Sequence, residues 1–151
     1  ALDLIIFSLA DRLFGIDIIK VQEVVRFNEI TRVPNAAKFV LGVMNLRGNI
    51  TPVIDLHKRF SLPEAEWSEK TRIIVLQIQN QAIGFLVDHV SEIMHTYKSD
   101  INSAPGVQAG IGTDYISGVV KIKSKSVDDE NKLMILLNLE NILEESSVTL
   151  N

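Results

Sequence analysis

Histidine is the residue type best suited to proton transfer and metal binding, and this 151-residue sequence has three, His57, His89 and His95. Metal sites space their ligands in short patterns such as HxxxH or HExxH, and neither occurs here. The chain also has no cysteine, which excludes disulfides and thiol chemistry and suits a reducing cytosol. We therefore predict solvated or supporting histidines and a protein that holds neither a metal ion nor a cofactor.

Motifs for nucleophilic catalysis and phosphate binding are also missing, because neither GxSxG nor GxxxxGK[ST] occurs. Asp128, Asp129 and Glu130 cluster, but their spacing is not that of a calcium loop, so we expect a solvated turn. Asp88 follows the apolar run IGFLV, where a structural role at a strand end is expected. The sequence offers no nucleophile–base pair and predicts a non-catalytic protein that acts through its surface. An enzyme or small-ligand binder is the competing class.

Composition narrows the class of partner. Hydrophobic residues make up 46% and charged residues 23%, which is ordinary for a globular domain. With 15 basic and 19 acidic residues the net charge is -4, so nucleic acid is not an expected partner. No apolar run approaches the roughly 20 residues of a membrane-spanning helix, and the first residues lack a signal peptide's basic flank. We expect a cytoplasmic protein that does not insert into the membrane.

The first half of the chain reads as short strands. Apolar residues on both sides of a polar break predict a hairpin with strands Leu4–Leu9 and Leu13–Ile18. The segment Val21–Val25 interleaves valines with polar residues and fits either a short strand or a helical turn. After Pro34, the stretch NAAKFVLG has a capping asparagine, alanines and a final glycine, which predict a short helix over Ala36–Leu41.

A strand–turn–strand pattern surrounds Arg47 and Gly48 in the stretch GVMNLRGNITPVIDLHKRF. Gly48 is expected to supply the positive φ that such a turn needs. Pro52 suggests an edge strand or a bulge, and Asp55 is placed to cap a short helix over LHKRF. An arginine at a turn tip is ordinarily a solvated charge, so the local pattern alone gives Arg47 no role.

The chain contains an internal repeat. Placing Gly15 over Gly84 aligns LIIFSLADRLFGIDIIKVQEVV with IIVLQIQNQAIGFLVDHVSEIM. Later, GVMNLR from Gly42 resembles GVVKIK from Gly118, and PVIDLHKRF resembles ILLNLENIL after a seven-residue shift at SKSVDDENK. Two similar hairpins can align by chance, but three segments recurring in one order favour duplication. Each copy would hold about five short strands, which predicts two small barrels packed as one unit.

Two further features concern a loop outside the strands that the repeat predicts and a pair of segments that could border a groove. The sequence SAPGVQAGIGTDYISG, rich in glycine, alanine and serine, reads as a loop of the second copy. Small barrels offer partners their strand edges and the grooves between barrels. Val21–Val25 and its counterpart Val87–Ile93 are the candidate walls of such a groove.

The NLRG run followed by ITPVIDL resembles the CheW family of bacterial chemotaxis adaptors. The flanking stretches GIDIIKVQEVV, ITRVPNAAKFVLG and IGFLVDHVSEIM resemble it in the same order, so the resemblance extends from Leu4 to Leu143. It implies a mainly β fold in which two five-stranded SH3-like barrels share one hydrophobic core, with a few short helices. Residues 1–151 would form one domain of two intertwined subdomains, one largely from about 13–70 and the other largely from about 71–135.

The resemblance implies an adaptor that couples transmembrane chemoreceptors to the histidine kinase CheA and is recruited from the cytoplasm to membrane-associated receptor arrays. The groove between the barrels would accept the cytoplasmic tip of the receptor, and carried over by position its residues would be Val21, Glu23, Asn45, Leu46, Arg47, Val87 and Val90. The surface for the regulatory domain of CheA would include Gly42, Ile50 and Tyr115.

Glu23 and Arg47 are expected to pair beside this groove and to orient the NLRG turn. Such a pair contributes little stability, because exposed ion pairs are worth only about 0–1 kcal/mol. A CheW-like domain belonging to a larger protein, such as CheA or CheV, is the alternative within the family. The sequence shows no kinase or receiver segment, and a free-standing adaptor is therefore the favoured expectation.

Overall fold

The computed structural model describes residues 1–27, 29–103, 112–122 and 132–143. The fold is mainly β, as predicted. Its strands are β1 (Leu2–Leu9), β2 (Arg12–Asp17), β3 (Val21–Arg26), β4 (Val40–Leu46), β5 (Asn49–Asp55), β6 (Arg72–Ile78), β7 (Gln81–Val87), β8 (His89–Thr96), β9 (Ile101–Asn102), β10 (Ile116–Ile122) and β11 (Lys132–Leu137). The helices are α1 (Leu56–Arg59), α2 (Leu139–Ile142) and the 3-10 turns Ile18–Lys20, Lys98–Asp100 and Thr113–Tyr115.

The strands form two sheets that exchange hairpins. The six-stranded sheet has the order β8-β1-β2-β11-β10-β9, and the five-stranded sheet has the order β3-β6-β7-β5-β4. Each sheet therefore joins the first hairpin of one half of the chain to the later strands of the other half, and residues 13–70 and 71–135 each contribute to both sheets. Two of the pairs that join the halves, β11–β2 and β5–β7, are parallel, and the other strand pairs are antiparallel.

The two halves of the chain have glycines at equivalent positions of the two parallel strand pairs, and this similarity supports the duplication. Gly15 lies opposite Leu136 in one parallel pair, and Gly84 lies opposite Val53 in the other. A Cβ atom at Gly84 would stand 2.7 Å from Ile73 Cγ2, and one at Gly15 would clash with a methionine side chain. Glycine therefore allows close packing at both equivalent sites, against β11 of the other half at Gly15 and against the neighbouring β6 at Gly84.

Three hairpins turn through two residues that both have positive φ, which is the geometry of a type I′ turn. These turns are Ala10–Asp11, Arg47–Gly48 and Gln79–Asn80. Gly48 supplies a positive φ of 85°, as predicted, but Arg47 also adopts a left-handed φ of 52°. The prediction of a strand–turn–strand around this pair is confirmed.

The largest hydrophobic cluster lies between the two sheets and includes the fully buried Phe7, Phe14 and Phe85. We call it the shared core. Each sheet also covers a smaller cluster on its other face, centred on Ile73 and Val75 in the five-stranded sheet and on Leu4 in the six-stranded sheet. Burying each such side chain contributes about 1.5–3 kcal/mol, so exchange of hairpins and burial together bind the halves into one unit.

The predicted helix over Ala36–Leu41 is wrong, because the chain there makes turns and then enters β4 at Val40. Thr31 pairs with Val43 through two backbone hydrogen bonds of 2.8 Å, and the Phe39 carbonyl accepts from the Asp55 amide at 2.7 Å. These bonds tie the two sides of the segment to β4 and β5 and fix its path in the sheet. Tertiary pairing therefore overrides the local helix propensity.

Two other local predictions agree with the structure, and one does not. Val21–Val25 is a strand, and Asp55 caps α1 by accepting from the Lys58 amide at 3.3 Å. The edge position suggested by Pro52 is wrong, because β5 is paired on both sides; its parallel pairing with β7 begins at Val53, just after the proline. Residues 104–111 of the predicted loop and the Asp128–Glu130 turn lie outside the described residues.

Candidate functional site

The NLRG turn joins β4 to β5 and is held by its own asparagine. Asn45 Oδ1 accepts a hydrogen bond from the Gly48 amide at 2.9 Å. This bond satisfies an amide at the tip of the turn and leaves the Arg47 side chain uninvolved in holding the backbone. Arg47 is 71% exposed. The turn therefore presents a mostly exposed guanidinium on a backbone that Asn45 holds.

Glu23 on β3 forms the predicted ion pair with Arg47 through Oε2 and Nη1. Glu23 is only 17% exposed, so the pair has one sheltered and one solvated partner. Because β3 and β4 are the two edge strands of the five-stranded sheet, the pair spans the gap between these edges. The Thr31–Val43 bridge, on the segment after β3, spans the same gap further along. The ion pair thus helps to curl the sheet.

A short hydrogen-bond chain supports Glu23 from the other side. Gln77 Nε2 on β6 donates to Gln22 Oε1 at 2.6 Å, and Gln22 Nε2 donates to Glu23 Oε2 at 3.4 Å. The glutamate carboxylate is therefore fixed by groups from two neighbouring strands as well as by Arg47. A depression of about 300 Å³ lies beside this chain and is lined by residues that include Arg47 and Ile50.

Two exposed apolar side chains, one on an edge strand of each sheet, lie on the sheet face that packs in the shared core. Val24 on β3 lies opposite Ile74, and Ile93 on β8 lies opposite Ile5, where both partners belong to the shared core. Directly opposed residues lie on the same face of a sheet. Val24 is nonetheless 39% exposed and Ile93 is 54% exposed. We call this pair the apolar edge.

The predicted groove residues Val21 and Val90 lie on the same two strands as Val24 and Ile93. Both are partly buried and pack against the shared core, one on each edge strand. The residues of the apolar edge were not singled out from the sequence, although the repeat carries their signal. Gly15 over Gly84 also places Val21 over Val90 and Val24 over Ile93.

Two predicted groove residues are less accessible than expected. Val87 is only 1% exposed, because β7 lies inside the five-stranded sheet and its end packs in the shared core. It supports the groove from beneath and cannot form an exposed wall. Leu46 is half-buried against the smaller core of the five-stranded sheet. Asn45 and Arg47 are the exposed members of the NLRG run on either side of it.

The three candidate kinase-binding residues do not form one patch. Ile50 is 72% exposed at the start of β5, whereas Gly42 is buried. A Cβ atom at Gly42 would collide with the Thr31 carbonyl oxygen, so this glycine makes room for the Thr31–Val43 bridge. Tyr115 packs elsewhere, with its ring centroid 5.4 Å from that of Phe60. Of the three, only Ile50 presents an exposed apolar side chain.

His57 is buried, so of the two predicted kinds of histidine it is a supporting one and not a solvated one. Its Nδ1 lies 2.7 Å from the Pro63 carbonyl oxygen and its Nε2 lies 2.8 Å from Asp88 Oδ1. A carbonyl oxygen only accepts, so Nδ1–H donates to the Pro63 carbonyl. Asp88 Oδ2 also accepts from the Ala10 amide at 2.9 Å.

The structural role predicted for Asp88 is confirmed, because it ties α1 to the β1–β2 turn at the crossing between the sheets. The other two histidines are exposed, and His95 pairs with Asp3. In the part of the chain that the structure describes, no group of three or more His, Asp or Glu side chains could hold a metal ion. The helices described there are too short to cross a membrane.

Comparison with known proteins gives one consistent result. Residues 3–147 match the model of the family described as CheW-like domain. The chain is 32% identical over 148 residues to a chemotaxis protein CheW of Klebsiella aerogenes, covering 98% of this chain and 85% of the relative. It is 33% identical over 144 residues to a chemotaxis protein CheW of Bacillus subtilis, covering 95% and 88%.

Among solved structures, the fold is similar to that of the scaffolding protein TtCheW from Thermoanaerobacter tengcongensis. The TM-score is 0.85 and the identity is 36%, and the match covers 97% of this chain and 90% of the other. The likeness therefore includes both sheets, with the NLRG turn and the edge strands β3 and β8.

Proposed function

The chain belongs to the CheW-like domain family, a family of non-catalytic chemotaxis adaptors, and we propose that it couples transmembrane chemoreceptors to the histidine kinase CheA. It would do so in the cytoplasm, recruited to receptor arrays at the membrane. A CheW-like domain of a larger CheA or CheV protein is the alternative within the family.

The receptor would bind along the apolar edge and the NLRG turn. The observation that carries this proposal is the exposure of Val24 and Ile93 at the margin of the shared core, since both would gain by burial against a partner. Val21 and Val90 would form the floor of the surface, while Glu23, Asn45 and Arg47 would supply polar contacts at its rim. An apolar centre with a polar rim suits a helical hairpin whose tip carries both kinds of side chain.

The regulatory domain of CheA would bind the five-stranded sheet around Ile50. This residue is the most exposed apolar side chain near the NLRG turn, and it would gain by burial against a partner. Gly42 would act indirectly, by allowing the close approach of Thr31 that shapes this end of the sheet. Tyr115 lies in a separate cluster, and its part in kinase binding would be independent of Ile50.

Reconstitution tests the coupling. Adding the protein to CheA and receptor-containing membranes is expected to raise CheA autophosphorylation, and adding it to CheA alone is expected to leave the rate unchanged. An increase that needs no receptor, or no increase in either case, would contradict the proposed function.

Variants separate the two surfaces. Val24→Glu with Ile93→Glu is expected to abolish receptor pull-down while leaving CheA binding intact, and Ile50→Glu is expected to do the reverse. Tyr97→Glu serves as the matched control, because Tyr97 is equally exposed but lies outside both surfaces. If the control loses as much binding as the test variants, the effect is general and the assignment of surfaces is wrong.

A further inference from the structure

A cleft of about 630 Å³ opens beside the segment that joins β3 to β4. Its lining combines three basic residues, Arg32, Lys38 and Lys58, with six apolar residues between positions 33 and 41. None of the lining residues is acidic, and none belongs to the receptor or kinase surfaces described above. We call it the basic cleft, and the adaptor function gives it no role.

The three cations have no partners within the described residues. Arg32, Lys38 and Lys58 are exposed, and none of them takes part in an ion pair there. They come from separate points of the chain, the first two on the β3–β4 segment and the third on α1. In a protein with a net charge of -4, three unpaired cations around one cleft create a local positive potential that attracts anions.

The apolar part of the cleft is preformed. Val33, Ala37 and Val40 are only partly buried, and two backbone hydrogen bonds fold the segment, from Ala36 to the Val33 carbonyl and from Val40 to the Ala37 carbonyl at 2.9 Å. The buried Phe39 side chain anchors the same segment to the shared core. A ligand would therefore meet a shaped apolar surface without having to order it, which lowers the cost of binding.

We propose that the basic cleft binds an acidic segment of a partner protein, an extended chain whose carboxylates flank an apolar side chain. The apolar side chain would pack on Val33 and Val40, and the carboxylates would pair with the cations at the rim. A compact anion such as inorganic phosphate would leave the apolar lining unused.

Fluorescence anisotropy tests the proposal with a short labelled peptide that alternates glutamate with leucine. The full-length protein is expected to bind it, with an affinity that falls as salt rises, and to bind the matching glutamine peptide at least about tenfold more weakly. The triple variant Arg32→Glu, Lys38→Glu and Lys58→Glu is expected to lose binding by a similar factor. Amide shifts in NMR spectra should be confined to residues 32–41 and the start of α1.

A second triple variant controls for net charge. Lys70→Glu, Lys98→Glu and Lys121→Glu reverses three exposed lysines far from the cleft lining and should bind the peptide nearly as well as the unchanged protein. Equal loss in the two triple variants, equal binding of the glutamine peptide, or amide shifts elsewhere would each overturn the proposal. So would binding to vesicles rich in phosphatidylserine that depends on the cleft lysines while the acidic peptide does not bind.

Discussion

Replacing Arg47 with glutamate separates a signalling role of the NLRG turn from a structural one. The change sets a second carboxylate against Glu23 and removes an ion pair across the edges of the five-stranded sheet. Because Arg47 is mostly exposed, the lost pair is worth about 1 kcal/mol or less, which corresponds to a fall of roughly 2–4 °C in Tm for a domain of this size. The turn itself should persist, since Asn45 and the β4–β5 ladder hold it.

The assay pairs thermal unfolding with receptor pull-down. Arg47→Glu is expected to impair receptor binding strongly with only this small fall in Tm, while Arg47→Gln should give a milder loss of binding. A fall in Tm well above the 2–4 °C range, with binding lost in proportion, would refute the reasoning and make Arg47 a structural residue.

The charge-swapped protein, Glu23→Arg with Arg47→Glu, distinguishes two ways of acting. If Arg47 only holds the edges together, the swap restores the ion pair and with it receptor binding. If the guanidinium contacts the receptor, the swap restores stability alone.

Three further changes test the supports of the site. Asn45→Ala removes the acceptor of the Gly48 amide and should cost about 0.5–1.5 kcal/mol in urea unfolding, with Asn45→Asp as the control that keeps an acceptor. Gly42→Ala forces a methyl group against the Thr31 carbonyl and should cost about 1–3 kcal/mol, so a neutral result in the same assay would contradict the close approach. Asp88→Ala leaves the buried imidazole and a turn amide without their acceptor, and calorimetry should show a loss of at least about 2 kcal/mol.

The elements that follow from local chemistry were predictable. Polar or glycine-containing breaks between apolar runs indicate the hairpins around Ala10–Asp11 and Arg47–Gly48, and Asp55 indicates the start of α1. The segment Ala36–Leu41 shows where this reasoning fails. Its residues favour a helix locally, but the sheet draws the backbone of Thr31 and Phe39 into pairing with strands distant in the chain.

For the candidate site as well, the sequence predicted some features correctly and others wrongly. Arg47 and Glu23 were identified from motif and position, and their pairing is present in the structure. Val87 was expected to line an exposed wall, yet a sequence does not reveal that β7 lies inside a sheet. Val24 and Ile93 lie within the two segments expected to line a groove, but the sequence did not single them out, because it does not show which side chains stay exposed at a sheet edge.

The sequence by itself determined the β-rich character, the repeated halves, the NLRG turn and the absence of recognisable catalytic motifs, because each of these depends on residue types and short spacings. Only the tertiary structure decided that the halves exchange hairpins and that β3 and β8 each lie at an edge of a sheet. These features arise from strand pairing and burial between distant segments, whose free energies depend on the whole packed arrangement and leave no local pattern.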